Sequence, residues 1–144
     1  MGREQGKTAF GLIDEMEKLA AELPSQKNMH LSAIGDRFSS AVARFKEATQ
    51  WIVETYPNNP AAVAAGSVYY LKLAGITLGG WMMARSAQIA CKQMEAGQGD
   101  AAFLRGKLLT ARFYADHLLA QAMGLSSATM RGADSVLAIE EALL

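Results

Sequence analysis

The segment from Tyr69 to Ala87 constrains the fold of this chain more than any other. It reads YYLKLAGITLGGWMMARSA, and only Lys72 and Arg85 interrupt its apolar character. Such a segment has to be buried against other apolar surface, because exposing it to water is unfavourable. It also contains three glycines, and residues without a side chain let a second helix approach closely. We therefore expect a central helix with close neighbours.

A membrane span is the alternative explanation for this segment, since about 20 apolar residues can cross a bilayer. Against it, Lys72 lies within the segment, and Arg85 and Lys92 follow. The neighbouring segments have polar faces that require water. A basic amphipathic segment, which would favour a peripheral membrane anchor, is also missing. We therefore expect a helix in the centre of a bundle and no membrane span.

The whole chain is predicted to be all-α, an antiparallel bundle of four main helices with a short fifth helix at the C-terminus. The second helix is the clearest, because an apolar residue recurs at every seventh position from Leu31 to Ile52. Prolines and glycines mark the breaks between helices. The first three predicted helices are about 7–23, 28–55 and 60–95. The fourth, about 100–123, is predicted to be capped by Asp100 and ended by Gly124, and a fifth starts at Ser126 or Ser127 and runs to about 141.

Composition restricts the classes of function. The chain has 144 residues, which fits a single domain over 1–144, and its formal net charge is zero. Nucleic-acid binders normally carry a basic excess, so this class is not expected. The single cysteine, Cys91, suits a reducing compartment and predicts a cytoplasmic protein. The polar residues that open the chain just before a helix suggest a fragment of a longer protein.

No pattern for catalysis, cofactor binding or metal binding is found. A carboxylate-bridged di-iron bundle needs Glu-x-x-His pairs, but Tyr114 precedes His117 and Lys27 precedes His30. The glycines around Gln98 follow a helix instead of a strand, so they do not form a dinucleotide-binding loop. We therefore assign no catalytic, cofactor-binding or metal-binding residue.

Three motifs in series nevertheless resemble a known domain. The chain is similar to the C-terminal helical extension of a bacterial subgroup of acyl-CoA dehydrogenases, the large kind that includes the 3-methylmercaptopropionyl-CoA dehydrogenases. The similarity covers about residues 40–141. The matching positions are Tyr70, Leu71, Gly79, Gly80, Trp81, Ala84 and Arg85, then FYADHLL at 113–119, then GADS at 132–135.

This resemblance implies that the parent is a flavoprotein with FAD. In the family, a glutamate removes the α proton of an acyl-CoA, FAD takes hydride from the β carbon, and an α,β-enoyl-CoA results. No glutamate of this chain matches that base, so the fragment alone is expected to be inactive. Its expected partners are the catalytic body of the parent and, as a possible homodimer, a second copy of the chain.

Six residues are the candidates for packing or interface contacts: Gly75, Gly79, Gly80, Trp81, Phe113 and His117. The competing hypothesis is a stand-alone helical dimerisation module that has no connection to flavin chemistry. A generic bundle has no reason to carry the three motifs in series, so their presence favours the dehydrogenase domain.

Overall fold

The computed structural model describes residue 4 and residues 6–139, and these fold into helices without a strand. The predicted all-α class is confirmed. The helices are α1 (Lys7–Glu22), α2 (Met29–Thr55), α3 (Pro60–Glu95), α4 (Ala101–His117), α5 (Ala122–Arg131) and α6 (Ala133–Leu137). Two short 3-10 turns lie at Leu23–Ser25 and Leu119–Gln121.

Side-chain caps explain where α2, α3 and α4 start. The Asn28 side chain accepts hydrogen bonds from the first N–H groups of α2, and Asn59 does the same for α3. The predicted cap of the fourth helix is confirmed, because the Asp100 carboxylate accepts the Phe103 N–H at 2.8 Å. Such caps satisfy N–H groups that have no partner within the helix.

Neighbouring helices run antiparallel, as predicted. Between α1 and α2, the Ser39 hydroxyl donates to the Ala20 carbonyl at 2.8 Å, and Lys46 binds Glu17 one to two turns further along. Between α3 and α4, the Tyr114 hydroxyl donates to the Ile76 carbonyl at 3.1 Å. The 36-residue α3 is longer than α4, and α5 packs beside the N-terminal part of α3. The pair α4–α5 therefore takes the fourth position in the bundle.

Two predicted helix boundaries in this fourth position are wrong. The fourth helix ends at His117 instead of residue 123, and the fifth begins at Ala122 and includes Gly124. The bend between them buries Leu119 against Gly80. Gly124 is exposed with open space around it, so nothing requires a break there. The fifth predicted helix is further divided near Gly132, and its predicted last residues lie outside the described part of the chain.

The core forms around α2, whose predicted apolar seam is confirmed. Phe38 is fully buried, and the other seam positions are 6% exposed or less. All of them except Ile52 pack with Ile13 and Met16 of α1 and with Leu73 of α3 in one cluster. The seam consists of Leu31, Ile34, Phe38, Ala41, Phe45, Ala48 and Ile52.

The long helix α3 contacts α2, α4, α5 and α6, but its other side is uncovered. By length and composition α3 could cross a membrane, but core helices of soluble proteins also meet these two criteria. Of the most apolar 18-residue window of α3, 22% is buried inside the bundle. Its buried residues are Ala62, Gly66, Leu73, Thr77, Gly80, Ala84, Ala87, Ala90 and Cys91. The predicted central helix is thus covered on one side only.

Candidate docking surface

The three candidate glycines of α3 have different environments. A Cβ atom on Gly79 would overlap the Tyr114 hydroxyl, and one on Gly80 would lie 2.6 Å from the Leu119 side chain. Both glycines therefore let α4 and the turn after it approach α3 closely. Gly75 lies on the side of α3 that faces away from the bundle, since nothing lies within 4 Å of an added Cβ.

Two further glycines, which are not among the six candidates, lie against backbone atoms of a neighbouring element. A Cβ on Gly66 would overlap the backbone carbonyl oxygen of Thr129 in α5, and one on Gly35 would lie 2.7 Å from the Pro24 backbone nitrogen. Gly66 lies in the segment PAAVAAGS at 60–67. That run of small residues was the available signal for a close helix contact.

The three remaining candidates lie at the surface of the bundle. Trp81 is half-buried, and the Arg85 guanidinium lies over its ring at 5.5 Å from the centroid. Phe113 is 60% exposed. Its ring contacts that of exposed His117, the last residue of α4, with 4.5 Å between centroids. Arg112 forms an ion pair with Asp116, with 2.6 Å between Nε and the carboxylate oxygen.

An exposed apolar stripe runs along α3 on the side opposite its buried side. Leu71 is 73% exposed, and Val68, Met82 and Ile89 are between 49% and 58% exposed. With Gly75 between Leu71 and Met82, successive members lie three, four or seven residues apart, so they share one side of the helix. A helix that is apolar on both sides is normally covered on both sides.

A groove of about 500 Å³ separates α3 from α4 beside this stripe. Met82 and Met83 form its α3 wall, and Phe103 and Gly106 belong to its α4 wall. Phe103 is 62% exposed, and a Cβ on Gly106 would meet nothing within 4 Å. We call the α3 stripe and this groove the outer face; it comprises Val68, Leu71, Gly75, Met82, Ile89, Phe103 and Gly106.

The charges around the outer face are positive. Lys72 and Arg85 are exposed on α3 beside the stripe, and the Lys107 ammonium lies over the Phe103 ring at 5.3 Å. Within their bounds, α3 and α4 carry six Lys and Arg residues and two acidic residues, a net charge of +4. One of the two acids, Asp116, is paired with Arg112. The outer face therefore combines an apolar surface with a cationic rim.

A second groove, of about 360 Å³, lies between the start of α2 and the end of α3 and includes Cys91. Burial, with a smaller contribution from Glu95, raises the pKa of the Cys91 thiol. A thiol with a raised pKa stays protonated at neutral pH and is a poor nucleophile. Cys91 is therefore a buried packing residue, and the groove gains no nucleophile from it.

No cofactor is assigned to either groove. Within residues 4 and 6–139, no group of three or more His, Cys, Asp or Glu side chains is placed to hold a metal ion. A flavin dinucleotide needs donors for its phosphates, commonly at a helix N-terminus. The N-termini of α2, α3 and α4 are already capped by Asn28, Asn59 and Asp100. These three helix starts therefore offer a phosphate fewer free N–H groups.

Comparison with known proteins identifies the family. Residues 12–140 match the family described as "Acetyl-CoA dehydrogenase C-terminal like". The chain is also 30% identical over 135 residues to the 3-methylmercaptopropionyl-CoA dehydrogenase of Ruegeria pomeroyi. That match covers 94% of this chain but only 23% of the relative, in its C-terminal part. The resemblance read from the three motifs is confirmed, and the chain belongs to the family of helical C-terminal domains of acyl-CoA dehydrogenases.

Proposed function

We propose that residues 1–144 form the C-terminal domain of an FAD-dependent dehydrogenase that converts an acyl-CoA into its α,β-enoyl-CoA. The domain packs against the catalytic body and supplies no catalytic residue. The observation that carries this proposal is the match of nearly the whole chain to less than a quarter of a dehydrogenase. In that arrangement, the base and the flavin belong to the remaining part of the parent.

The described residues fit this role. They contain a closed core, an uncovered apolar face and no assembled set of reactive side chains. A domain with this distribution contributes contact surface. We also propose a cytoplasmic location, which the single, buried cysteine supports.

The test starts with the coding DNA upstream of this chain. We expect an open frame that encodes a dehydrogenase body with a catalytic glutamate. The purified full-length protein should show flavin absorbance and reduce an artificial electron acceptor with an acyl-CoA substrate, whereas the 144-residue chain should do neither. A stop codon with a ribosome-binding site directly upstream would refute the proposal and favour the stand-alone dimerisation module.

A further inference from the structure

We propose that the outer face of α3 and α4 docks onto an apolar surface with an acidic rim on the catalytic body of the same polypeptide. This inference rests on the proposed function. It adds which face of the domain makes the contact and the chemical character of the surface that it contacts.

The size of the outer face supports a docking role. From Val68 to Ile89 the stripe is about 30 Å long, because a helix rises about 1.5 Å per residue. With the adjoining part of α4, spaced about 9 Å away, its area is on the order of 500 Å². Patches of this size on soluble proteins often mark interaction sites.

The shape of the outer face favours a protein over a lipid surface. Gly75 and Gly106 leave two notches in it, since an added Cβ at either position would meet nothing within 4 Å. The groove between Met82 and Phe103 forms a third depression. Depressions are filled by protruding side chains of a partner, and well-packed interfaces require such complementarity.

The charge of the outer face disfavours a second copy of this chain as the occupant. In a two-fold dimer the same patch lies on both sides of the interface. Lys72, Arg85 and Lys107 would then face like charges, which lowers affinity. Helix α1 carries a net charge of −2, but pairing it with the outer face of another copy would be head-to-tail and would not close by two-fold symmetry. A partner with acidic residues around an apolar centre meets the requirement.

The covalent connection explains how a patch of modest area suffices. A standard interface buries about 800 Å² on each partner, somewhat more than the outer face offers. Domains joined in one chain meet at an effective concentration that reaches about millimolar, so weaker contacts hold them together. The relative from Ruegeria pomeroyi has most of its length outside the match, which is where such a body would lie.

Hydroxyl-radical footprinting tests the inference by comparing the 144-residue chain with the full-length protein encoded by its reading frame. We expect the oxidation rates of Met82 and Phe103 to fall at least about fivefold in the full-length protein, because an interface core excludes water. Met29, which is 74% exposed at the start of α2, and Met123, which is 67% exposed on α5, serve as controls with unchanged rates.

A pair of variants gives a second readout. Met82→Asp and Phe103→Asp should change the melting temperature of the isolated chain only slightly, since Met82 is 49% and Phe103 62% exposed there. In the full-length protein, Met82→Asp should restore rapid oxidation of Phe103, and Phe103→Asp should restore that of Met82. Met29→Asp should restore neither. This readout needs neither substrate turnover nor bound flavin.

Three results would overturn the inference. Equal Met82 oxidation rates in both proteins would show that the body does not cover the outer face. Protection that appears only with vesicles containing phosphatidylglycerol would assign the face to a membrane. Protection of the isolated chain that grows with its concentration would assign it to a second copy. The proposed function itself is tested separately: an upstream sequence that encodes no dehydrogenase body would refute it.

Discussion

Glycines on α3 have opposite structural roles although they belong to one helix. Gly66 lies where the backbone of α5 crosses, and a Cβ there would overlap the Thr129 carbonyl oxygen. That oxygen belongs to the backbone, so it cannot rotate away as a side chain would. Gly75 lies on the outer face, with open space where a Cβ would be.

Replacing each glycine by alanine should therefore change stability in opposite directions. Gly66→Ala should destabilise the chain by about 1–3 kcal/mol, because overpacking outweighs the gain in helix propensity. Gly75→Ala should stabilise it by about 0.5–1 kcal/mol, since alanine is the better helix former. Urea unfolding followed by circular dichroism measures both. Equal effects of the same sign would contradict the close crossing of α3 and α5.

The sequence indicated that glycines of α3 were important but not which direction each faces. Apolar residues surround Gly75 and Gly79 on every side of the helix, so periodicity gives no orientation there. The orientation depends on where α4 and α5 pack, which is a tertiary property. The six candidates were therefore predicted as one group, although Gly79 and Gly80 pack internally and Gly75 and Phe113 face outward.

At the level of helices, the sequence predicted α2 well and the α4–α5 bend poorly. In α2, apolar and polar residues separate cleanly, so the buried side could be identified from spacing alone. The bend after His117 instead depends on the contact of Leu119 with Gly80, residues that are far apart in sequence. A local pattern cannot indicate such a contact, and Gly124 was a misleading local signal.

The contact between α2 and α3 contains a partly buried tyrosine. The Tyr70 hydroxyl lies 2.9 Å from the Thr49 hydroxyl, which itself donates to the Phe45 carbonyl at 2.7 Å. Either hydroxyl can be the donor in this pair, since the Thr49 hydroxyl can turn from the Phe45 carbonyl towards Tyr70. The Tyr70 ring also stacks on Phe45, with 5.6 Å between centroids. Burial raises the pKa of Tyr70 above 10.0, although the Thr49 hydrogen bond opposes this.

This raised pKa predicts a pH-dependent contribution to stability. The folded state favours the neutral phenol, so its contribution is fully present below pH 10.0 and is lost as the pH rises through the folded-state pKa. Near neutral pH, Tyr70→Phe should cost about 1 kcal/mol through the lost hydrogen bond. The difference in unfolding free energy between the variant and the original chain should shrink at alkaline pH.

Urea unfolding of both proteins from pH 8 to about pH 11 measures that difference, since ordinary tyrosines ionise near pH 10. Thr49→Val is the matched control: it removes the same hydrogen bond but keeps the phenol, so its alkaline loss of stability should persist. A difference between Tyr70→Phe and the original chain that stays constant over this range would refute the prediction.

For the whole molecule, α1 is the peripheral helix of the bundle. It packs mainly on α2 and on the turn Leu23–Ser25, whereas α2 and α3 each contact several helices. Its buried residues, including Ile13 and Met16, cover one side of α2. Segments with fewer neighbours open at lower free energy than the rest of a protein.

We therefore expect α1 to unfold in a separate, partial step while the α2–α5 bundle stays folded. Hydrogen exchange at low urea concentrations should give α1 amides a lower opening free energy than the most protected amides of α2 and α3. Ala84→Gly provides the matched test, because Ala84 is fully buried in α3. It should lower the opening free energy of α2 and α3 amides by about 1–2 kcal/mol and leave that of α1 unchanged. If the variant lowers the opening free energies of α1, α2 and α3 amides equally, α1 unfolds only together with the bundle, and the separate step does not exist.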